Sequence, residues 1–328
     1  MNENSSPLVS MITPCYNGAK YLPRFLESVL QQSYKNIEFI FIDDGSTDNT
    51  KDIVSNYSNG FHDAGIKLVY IYQENQGQAA ALNQGLAIFT GKYLTWPDSD
   101  DILHVDNVKN RVEFLEHNPS CNIVLCDSEI VDIAGNTIRP YKRIPPEGED
   151  NFFLDLILGR NVFYTGGAYM VRTKTFLECI PSRKIFVSSG GQNWQMLLPV
   201  LYSNKCKYLH ETLYFLVEHD DSHSRDPKTF DQLLSRTFEH EAILINTINS
   251  INEIPTEEKL QYQKIVESKY RRKRFSLAIS FKKQTEAKRY MNDLKSSGSL
   301  RLRDHVLYLS THNRLILFAV KTKQKIFK

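Results

Sequence analysis

The 328-residue sequence has no run approaching the roughly 18 apolar residues that a membrane-crossing helix requires. Its opening, MNENSSPLVS, lacks the basic patch and apolar stretch of a secretory leader, so the expected place of work is the cytoplasm. The five cysteines (Cys15, Cys121, Cys126, Cys179 and Cys206) are odd in number, scattered, and include no C-x-x-C pair. That excludes a disulfide framework and a zinc knuckle, and leaves free thiols in a reducing compartment. Fifteen Gly and twelve Pro show no triplet period, so the chain is not collagen-like. Neither a G-x-x-x-x-G-K loop nor a G-x-G-x-x-G loop is present, so a nucleotide site here must rely on carboxylates and a metal rather than on glycine amides.

What is present is an ordinary globular composition, 41% hydrophobic and 24% charged, with the charge unevenly spread. From Arg236 onward there are 20 Lys+Arg against 9 Asp+Glu, a net of +11, whereas residues 1–235 carry a net of −9. An acidic body suits cation binding, and a basic end suits an anionic surface.

Apolar periodicity organises the chain. Leu8–Thr13, Ile37–Ile42, Lys67–Tyr72 and Lys92–Trp96 read as strands. Lys20–Gln32, Thr47–Tyr57 (capped by Ser46 or Thr47) and Ala79–Thr90 read as the helices between them. This alternation predicts a parallel sheet covered on both faces, with ligands beyond the carboxyl ends of its strands. Three of those ends carry Pro14-Cys15-Tyr16-Asn17-Gly18, Asp43-Asp44-Gly45-Ser46 and Pro97-Asp98-Ser99-Asp100-Asp101.

Further on, Val105–His117 reads as a helix, Asn122–Asp127 as a strand, and Ile130–Arg139 as a segment turning at Gly135-Asn136. Arg139–Asp150 is expected to be an exposed loop, Asn161–Arg172 strand material around a Gly-Gly turn, Gln192–Tyr202 a helix and Tyr208–Val217 a strand. Only helical patterns follow: Phe230–Asn249, Glu257–Ile279, Gln284–Leu294 and Asp304–Thr311.

Adjacent carboxylates such as Asp98, Asp100 and Asp101 repel one another and need a cation or abundant water. A divalent ion shared with substrate phosphates, Mg²⁺ or Mn²⁺, meets that need. A solvated helix-capping turn is the plainer alternative, and the second acidic pair, Asp43-Asp44, on the same predicted sheet edge favours the metal. Asp44 can accept hydrogen bonds from a base or ribose, and Tyr16 can stack on the base.

The sequence resembles the inverting family 2 nucleotide-sugar glycosyltransferases of the GT-A fold. The resemblance is carried, in order, by Pro14-x-Tyr16-Asn17, Ser28-Val29-Leu30-Gln31-Gln32-Ser33-Tyr34, Asp43-Asp44-Gly45-Ser46-Thr47-Asp48, Asn75-x-Gly77 with Ala81-x-Asn83-x-Gly85, and Asp98-Ser99-Asp100-Asp101. It covers about the first 105 residues and thins afterwards. It implies an α/β fold with a mostly parallel sheet, helices on both faces and a C-terminal helical extension. The expected divisions are a nucleotide-sugar half (1–105), an acceptor half (106–229) and a basic helical extension (230–328).

By the same resemblance, Pro14, Tyr16, Asn17, Asp44, Gln78 and Asp98 would hold the nucleotide, and Asp100 and Asp98 the divalent cation. His219, opening His219-x-x-Ser222-x-Ser224, would meet the metal or diphosphate. The implied reaction moves a hexosyl or N-acetylhexosaminyl group from a nucleoside-diphosphate sugar, preferably a UDP-sugar, to a glycan hydroxyl. The implied setting is O-antigen, capsule or exopolysaccharide synthesis on a lipid-linked acceptor.

One departure stands out. Family members place an acidic pair before a Trp-rich helix, and its Asp takes the acceptor proton; here Gln192-Asn193-Trp194 fills that slot. An amide cannot accept a proton at neutral pH. Gln192, Asn193 and Trp194 are therefore expected to contact acceptor or donor sugar, and Glu218, Asp220 and Asp221 are the candidate bases. Two rival readings are a catalytically silent sugar-nucleotide-binding protein and a sugar nucleotidyltransferase, though the latter's glycine-rich basic loop is missing. The basic run Arg271–Arg274, Lys282-Lys283 and residues 313–328 suggest docking on an anionic membrane. Nucleic acid is disfavoured, because no aromatic reading surface accompanies the charges.

Overall fold

Two fully buried strands, β1 (Val9–Cys15) and β2 (Ile37–Asp44), form the centre of the fold in the computed structural model, which describes residues 6–144, 151–219 and 229–310. They pair in parallel, Val9 against Ile37 through Cys15 against Asp43. Between them runs α1 (Leu22–Leu30), whose Leu22, Phe25, Leu26 and Val29 recur at helical spacing and face the core. Pro14 sits inside β1 without cost because β4 (Tyr93–Thr95) pairs only with Val9–Met11, so no ladder partner awaits its missing N–H.

The remaining elements before residue 220 are α2 (Thr50–Asp63), β3 (Lys67–Gln73), α3 (Gln78–Ile88), β5 (Ile102–Leu103), α4 (Asn107–His117), β6 (Ile123–Val131), β7 (Thr137–Tyr141), α5 (Phe152–Leu158), β8 (Tyr169–Arg172), α6 (Thr173–Cys179), α7 (Gln192–Ser203) and β9 (Cys206–Val217). The strands form one sheet in the order β3-β2-β1-β4-β8-β6-β9-β5, with β7 paired to β6. β3, β2, β1 and β4 run parallel, and β6 and β9 share their direction; β8, β5 and β7 run against it. The carboxyl ends of β1, β2, β4 and β9 therefore open on one edge.

Several expectations need correction. The start of α2 is not capped by Ser46 or Thr47: the helix begins at Thr50, and Asp48 accepts the Thr50 N–H at 3.0 Å. The Asn161–Arg172 segment is a strand only over Tyr169–Arg172, because Gly166–Ala168 forms a 3₁₀ turn. The Arg139–Asp150 segment is not simply an exposed loop. β7 occupies its start, and Arg143 is buried over the Phe152 ring, bonded to Asp155, Tyr208 and the Asn161 carbonyl. The short helices α5 and α6 escape the sequence pattern, since two turns give periodicity too little length to register.

The chain divides into two compact units near residue 225. The second holds α8 (Phe230–Ser250), α9 (Thr256–Ser280), α10 (Gln284–Ser296) and α11 (Leu302–Ser310). α8 opens with a capping box in which the Thr229 and Gln232 side chains bond each other's backbone N–H. Phe230, Phe275, Ala278, Ala287, Tyr290 and Leu294 form its core. The basic run of α9 is largely neutralised within this unit: Arg271 pairs with Glu267, Arg272 with Asp304 and Arg274 with Glu241. An anionic surface would thus meet fewer of these charges than the sequence suggests. Residues 313–328, the other part of the expected docking surface, lie outside the described residues. Among the described residues no helix is long and apolar enough to cross a membrane.

Candidate active site

The loop after β1 and the loop after β2 are tied together by side chains. Asn17 takes a left-handed backbone (φ 50°), its N–H donates to Ser46 Oγ at 2.9 Å, and its Oδ1 accepts the Thr47 N–H at 2.8 Å. Ala19 N donates to Asp48 Oδ2 at 3.0 Å. Tyr16, directly after β1, is left 45% exposed beside this junction. Gly45 (φ 76°) turns the chain so closely to the next loop that a Cβ there would lie 2.5 Å from Asn75 N.

The two aspartates of β2 differ in role. Asp43 accepts from Ser46 N at 2.8 Å and Tyr70 Oη at 2.7 Å, which makes it a brace. Asp44 is 3% exposed; its Oδ1 accepts from Gln73 Nε2 (2.6 Å) and Gln76 N (2.9 Å), and its Oδ2 from Gly77 N (2.8 Å). A carboxylate oxygen has two lone pairs, so Oδ2 keeps one acceptor direction for a ligand.

The three carboxylates after β4 separate as well. Asp101 turns inward, accepting from Tyr214 Oη at 2.8 Å and Val217 N at 2.9 Å, and burial with two acidic neighbours pushes its carboxyl well up. It belongs to the frame rather than to the cation cluster expected from sequence. Asp98 accepts from Gln78 Nε2 at 3.0 Å; burial, then the charge of Asp100, push its carboxyl up to about 7. The Asp100 side chain is 39% exposed, and its Oδ2 meets His219 Nε2 at 3.0 Å. The His219 ring stacks on Tyr21 with centroids 3.9 Å apart.

This donor set suits a hard divalent cation. Asp98 and Asp100 offer oxygens, His219 an imidazole, and a carboxyl destabilised by burial and a like charge is one that a cation would relieve. Among the described residues no group of three or more His, Cys, Asp or Glu side chains is arranged to hold a metal alone, so substrate oxygens would have to complete the shell.

α7 contributes its first turn. Gln192 Nε2 donates to Gln78 Oε1 at 2.5 Å, while Asn193 accepts from Trp96 Nε1 at 2.9 Å and donates to the Tyr164 carbonyl. Trp194 meets the Tyr164 ring edge-on at 5.9 Å. Of the candidate bases, Glu218 follows β9 directly, its N–H bonded to Val131 O at 2.7 Å; Asp220 and Asp221 lie outside the described residues.

Sequence reasoning did not single out Trp96, Tyr214, Gly166 or Gly167. The only signal was the Gly-Gly pair, and its reason is close approach. A Cβ on Gly166 would stand 2.0 Å from Trp96 Cδ1 and 2.5 Å from the Trp96 carbonyl, and one on Gly167 would stand 2.0 Å from the Tyr214 ring. Gly166→Ala must therefore push the end of β4, and Asp98 with it. The expected result is a loss of about 1–3 kcal/mol in stability together with weakened nucleotide binding. A melting curve and binding isotherm matching wild type would contradict this.

Residues 10–180 match the family described as Glycosyl transferase family 2, more than half of the chain, and the protein belongs to that family. An uncharacterised glycosyltransferase of Rickettsia prowazekii is 36% identical over 149 residues, 44% of this chain and 45% of that protein. A Bacillus subtilis glycosyltransferase named TuaG and ascribed to teichuronic acid biosynthesis is 42% identical over 112 residues, 34% of this chain and 43% of that one. The chain thus spans under half the length of these two relatives. Among solved structures, residues 1–349 of S. aureus TarS in complex with UDP-GlcNAc align with a TM-score of 0.62 and 18% identity, covering 96% of this chain and 87% of that one. The mannosyltransferase PcManGT of Pyrobaculum calidifontis, in complex with GDP-Man and Mn²⁺, aligns at 0.57 and 17%, covering 96% and 81%. These likenesses establish the GT-A fold.

Proposed function

We propose that the protein transfers a sugar from a nucleoside-diphosphate sugar to a hydroxyl of a glycan acceptor, with inversion, in cell-surface polysaccharide synthesis. The observation that carries this is the convergence of Asp44, Asp98 and Asp100 on one sheet edge, with Tyr16 exposed beside them and an acceptor direction left on Asp44. Tyr16 stacks on the base, Asp44 accepts one of its N–H groups, and Asn17 with Pro14 shapes the floor. Asp98 and Gln78 face the ribose and sugar. UDP-sugars are the favoured donors, in keeping with the UDP-GlcNAc bound by TarS, and the GDP-Man of PcManGT makes a GDP-sugar the second class to try.

Asp100, Asp98 and His219 would hold a divalent cation, Mg²⁺ or Mn²⁺, which when bound supplies positive charge for the departing diphosphate. A single displacement from the face opposite the diphosphate inverts the anomeric carbon. Glu218, Asp220 and Asp221 are the proposed proton acceptors, since the Asn193 amide cannot take a proton at neutral pH. The acceptor is proposed to be lipid-linked and the site of work the cytoplasmic membrane face, with Lys282, Lys283 and the basic residues of 313–328 meeting anionic lipid.

Incubation with UDP-, GDP- and dTDP-sugars tests the reading, with nucleoside diphosphate release expected and excess chelator expected to stop it. Pyrophosphate release would instead mark a nucleotidyltransferase, and binding without turnover a silent binding protein.

A further inference from the structure

The sequence puts amides where the family places an acidic pair, and the hydrogen bonds around Gln192 and Asn193 have directions that their partners force. Gln78 turns its Nε2 toward Asp98, whose Oδ1 accepts it at 3.0 Å. That leaves Gln78 Oε1 facing Gln192, which must therefore donate (2.5 Å). At Asn193 the logic repeats. The indole N–H of Trp96 can only donate and the Tyr164 carbonyl can only accept, so Oδ1 takes the first and Nδ2 serves the second. Trp96 leads through Pro97 to Asp98, so both amides act on the same short segment, one through its side-chain carboxylate and one through its preceding indole.

A carboxylate at either position breaks the pattern. Gln192→Glu would set an acceptor against Gln78 Oε1. If Gln78 flipped to satisfy it, the Gln78 carbonyl would face Asp98, so the repulsion moves by one contact and does not vanish. Asn193→Asp would keep the indole bond and oppose the Tyr164 carbonyl with no proton to offer.

We propose that Gln192 and Asn193 are positioning residues, a donor pair that aims Asp98 and fixes the end of β4, and that an acid at either place impairs this protein. The inference rests on the reading of Asp98 as part of the donor site.

The test compares Gln192→Glu, Asn193→Asp and Gln192→Glu/Gln78→Lys with wild type and with Gln78→Lys alone. Gln192→Glu is expected to weaken UDP affinity and lower UDP-sugar turnover about tenfold, with an unchanged melting temperature. Lysine at position 78 can donate both to the new carboxylate and to Asp98. It should therefore recover affinity in the Gln192→Glu background and not in wild type, a coupling that a merely structural role would not produce. Independently of activity, an amide nitrogen–proton spectrum should show the indole resonance of Trp96, one of two in the protein, shifting in Asn193→Asp. An acid variant that binds and turns over as well as wild type would overturn the inference, as would an unmoved Trp96 resonance. A wild-type protein that ignores all nucleotides while its Trp96 signal responds would instead overturn the glycosyltransferase reading and leave the hydrogen-bond pattern upheld.

Discussion

Asp100→Asn is expected to lose at least about 100-fold in nucleotide-sugar turnover while the protein becomes more heat-stable, not less. Replacing a group that merely orients a metal ligand costs about 10–100-fold, and Asp100 is proposed as a ligand itself, so the upper figure is the floor. The stability gain follows from charge. Asp100 helps to push both Asp98 and Asp101 up, and removing it relieves two strained carboxyls, while Asn can still accept from His219. The sign is fixed by linkage. Asp98 titrates near 7 when folded and near 3.8 as its ordinary value, so between those values the folded state holds more protons and stability falls as pH rises. The variant should therefore gain most in melting temperature at pH 7–8, measured in chelator, and nothing near pH 4. Full turnover would refute the assignment. A lower melting temperature at pH 8 would show that Asp100 is a structural brace.

The first 105 residues were legible because β1, β2 and β4 are buried on both faces and α1 is amphipathic. Ile37–Asp44 is apolar from Phe39 to Ile42 and then ends in two carboxylates, and parallel strands bring such ends together on one edge. Asp44, Asp98 and Asp100 could thus be singled out as candidates from type and position, and His219 only from the resemblance of His219-x-x-Ser222-x-Ser224 to the family's late motif. Their division of labour could not. Asp43 and Asp101 resemble their neighbours in sequence and differ only in what surrounds them: Tyr70 for one, Tyr214 and Val217 N for the other, the latter more than 110 residues away. The same holds for Arg271–Arg274. A run of charges reads as a surface, yet Arg272 and Arg274 find partners 32 and 33 residues distant. The amides of α7 belong here too. Gln192 and Asn193 are polar residues at a helix start, and nothing local shows that one reaches Gln78 and the other Trp96.

Arg111 is the clearest case of a residue that sequence places on a helix and structure places under the site. It lies fully buried on α4, where its Nε bonds the Asn107 carbonyl at 3.0 Å and its Nη1 the carbonyls of Gly167 (3.0 Å) and Tyr169 (2.9 Å). Burial holds its guanidinium below its ordinary pKa, so the cation itself is a cost to folding. Two opposed effects decide what Arg111→Met does. Methionine of similar reach removes a desolvated charge, and buried ionic groups can often be replaced by apolar ones at little loss. Here, however, the partners are main-chain carbonyls that cannot be replaced along with it, and each left unpaired costs about 1–3 kcal/mol. Tyr169 O keeps the Thr95 hydroxyl as a donor (2.8 Å) while Gly167 O loses the guanidinium, so destabilisation of about 1–3 kcal/mol should outweigh the relief. The loss should also reach the site, because those carbonyls anchor the turn that seats Gly166 against Trp96, one proline before Asp98. Arg111→Met should therefore melt several degrees lower and bind UDP more weakly, and Arg111→Lys, whose single ammonium lacks the planar fork that bonds Asn107 as well as both carbonyls, should recover only part of either. If Arg111→Met melts within a degree of wild type, the turn is held by its glycine contacts alone and the guanidinium is dispensable.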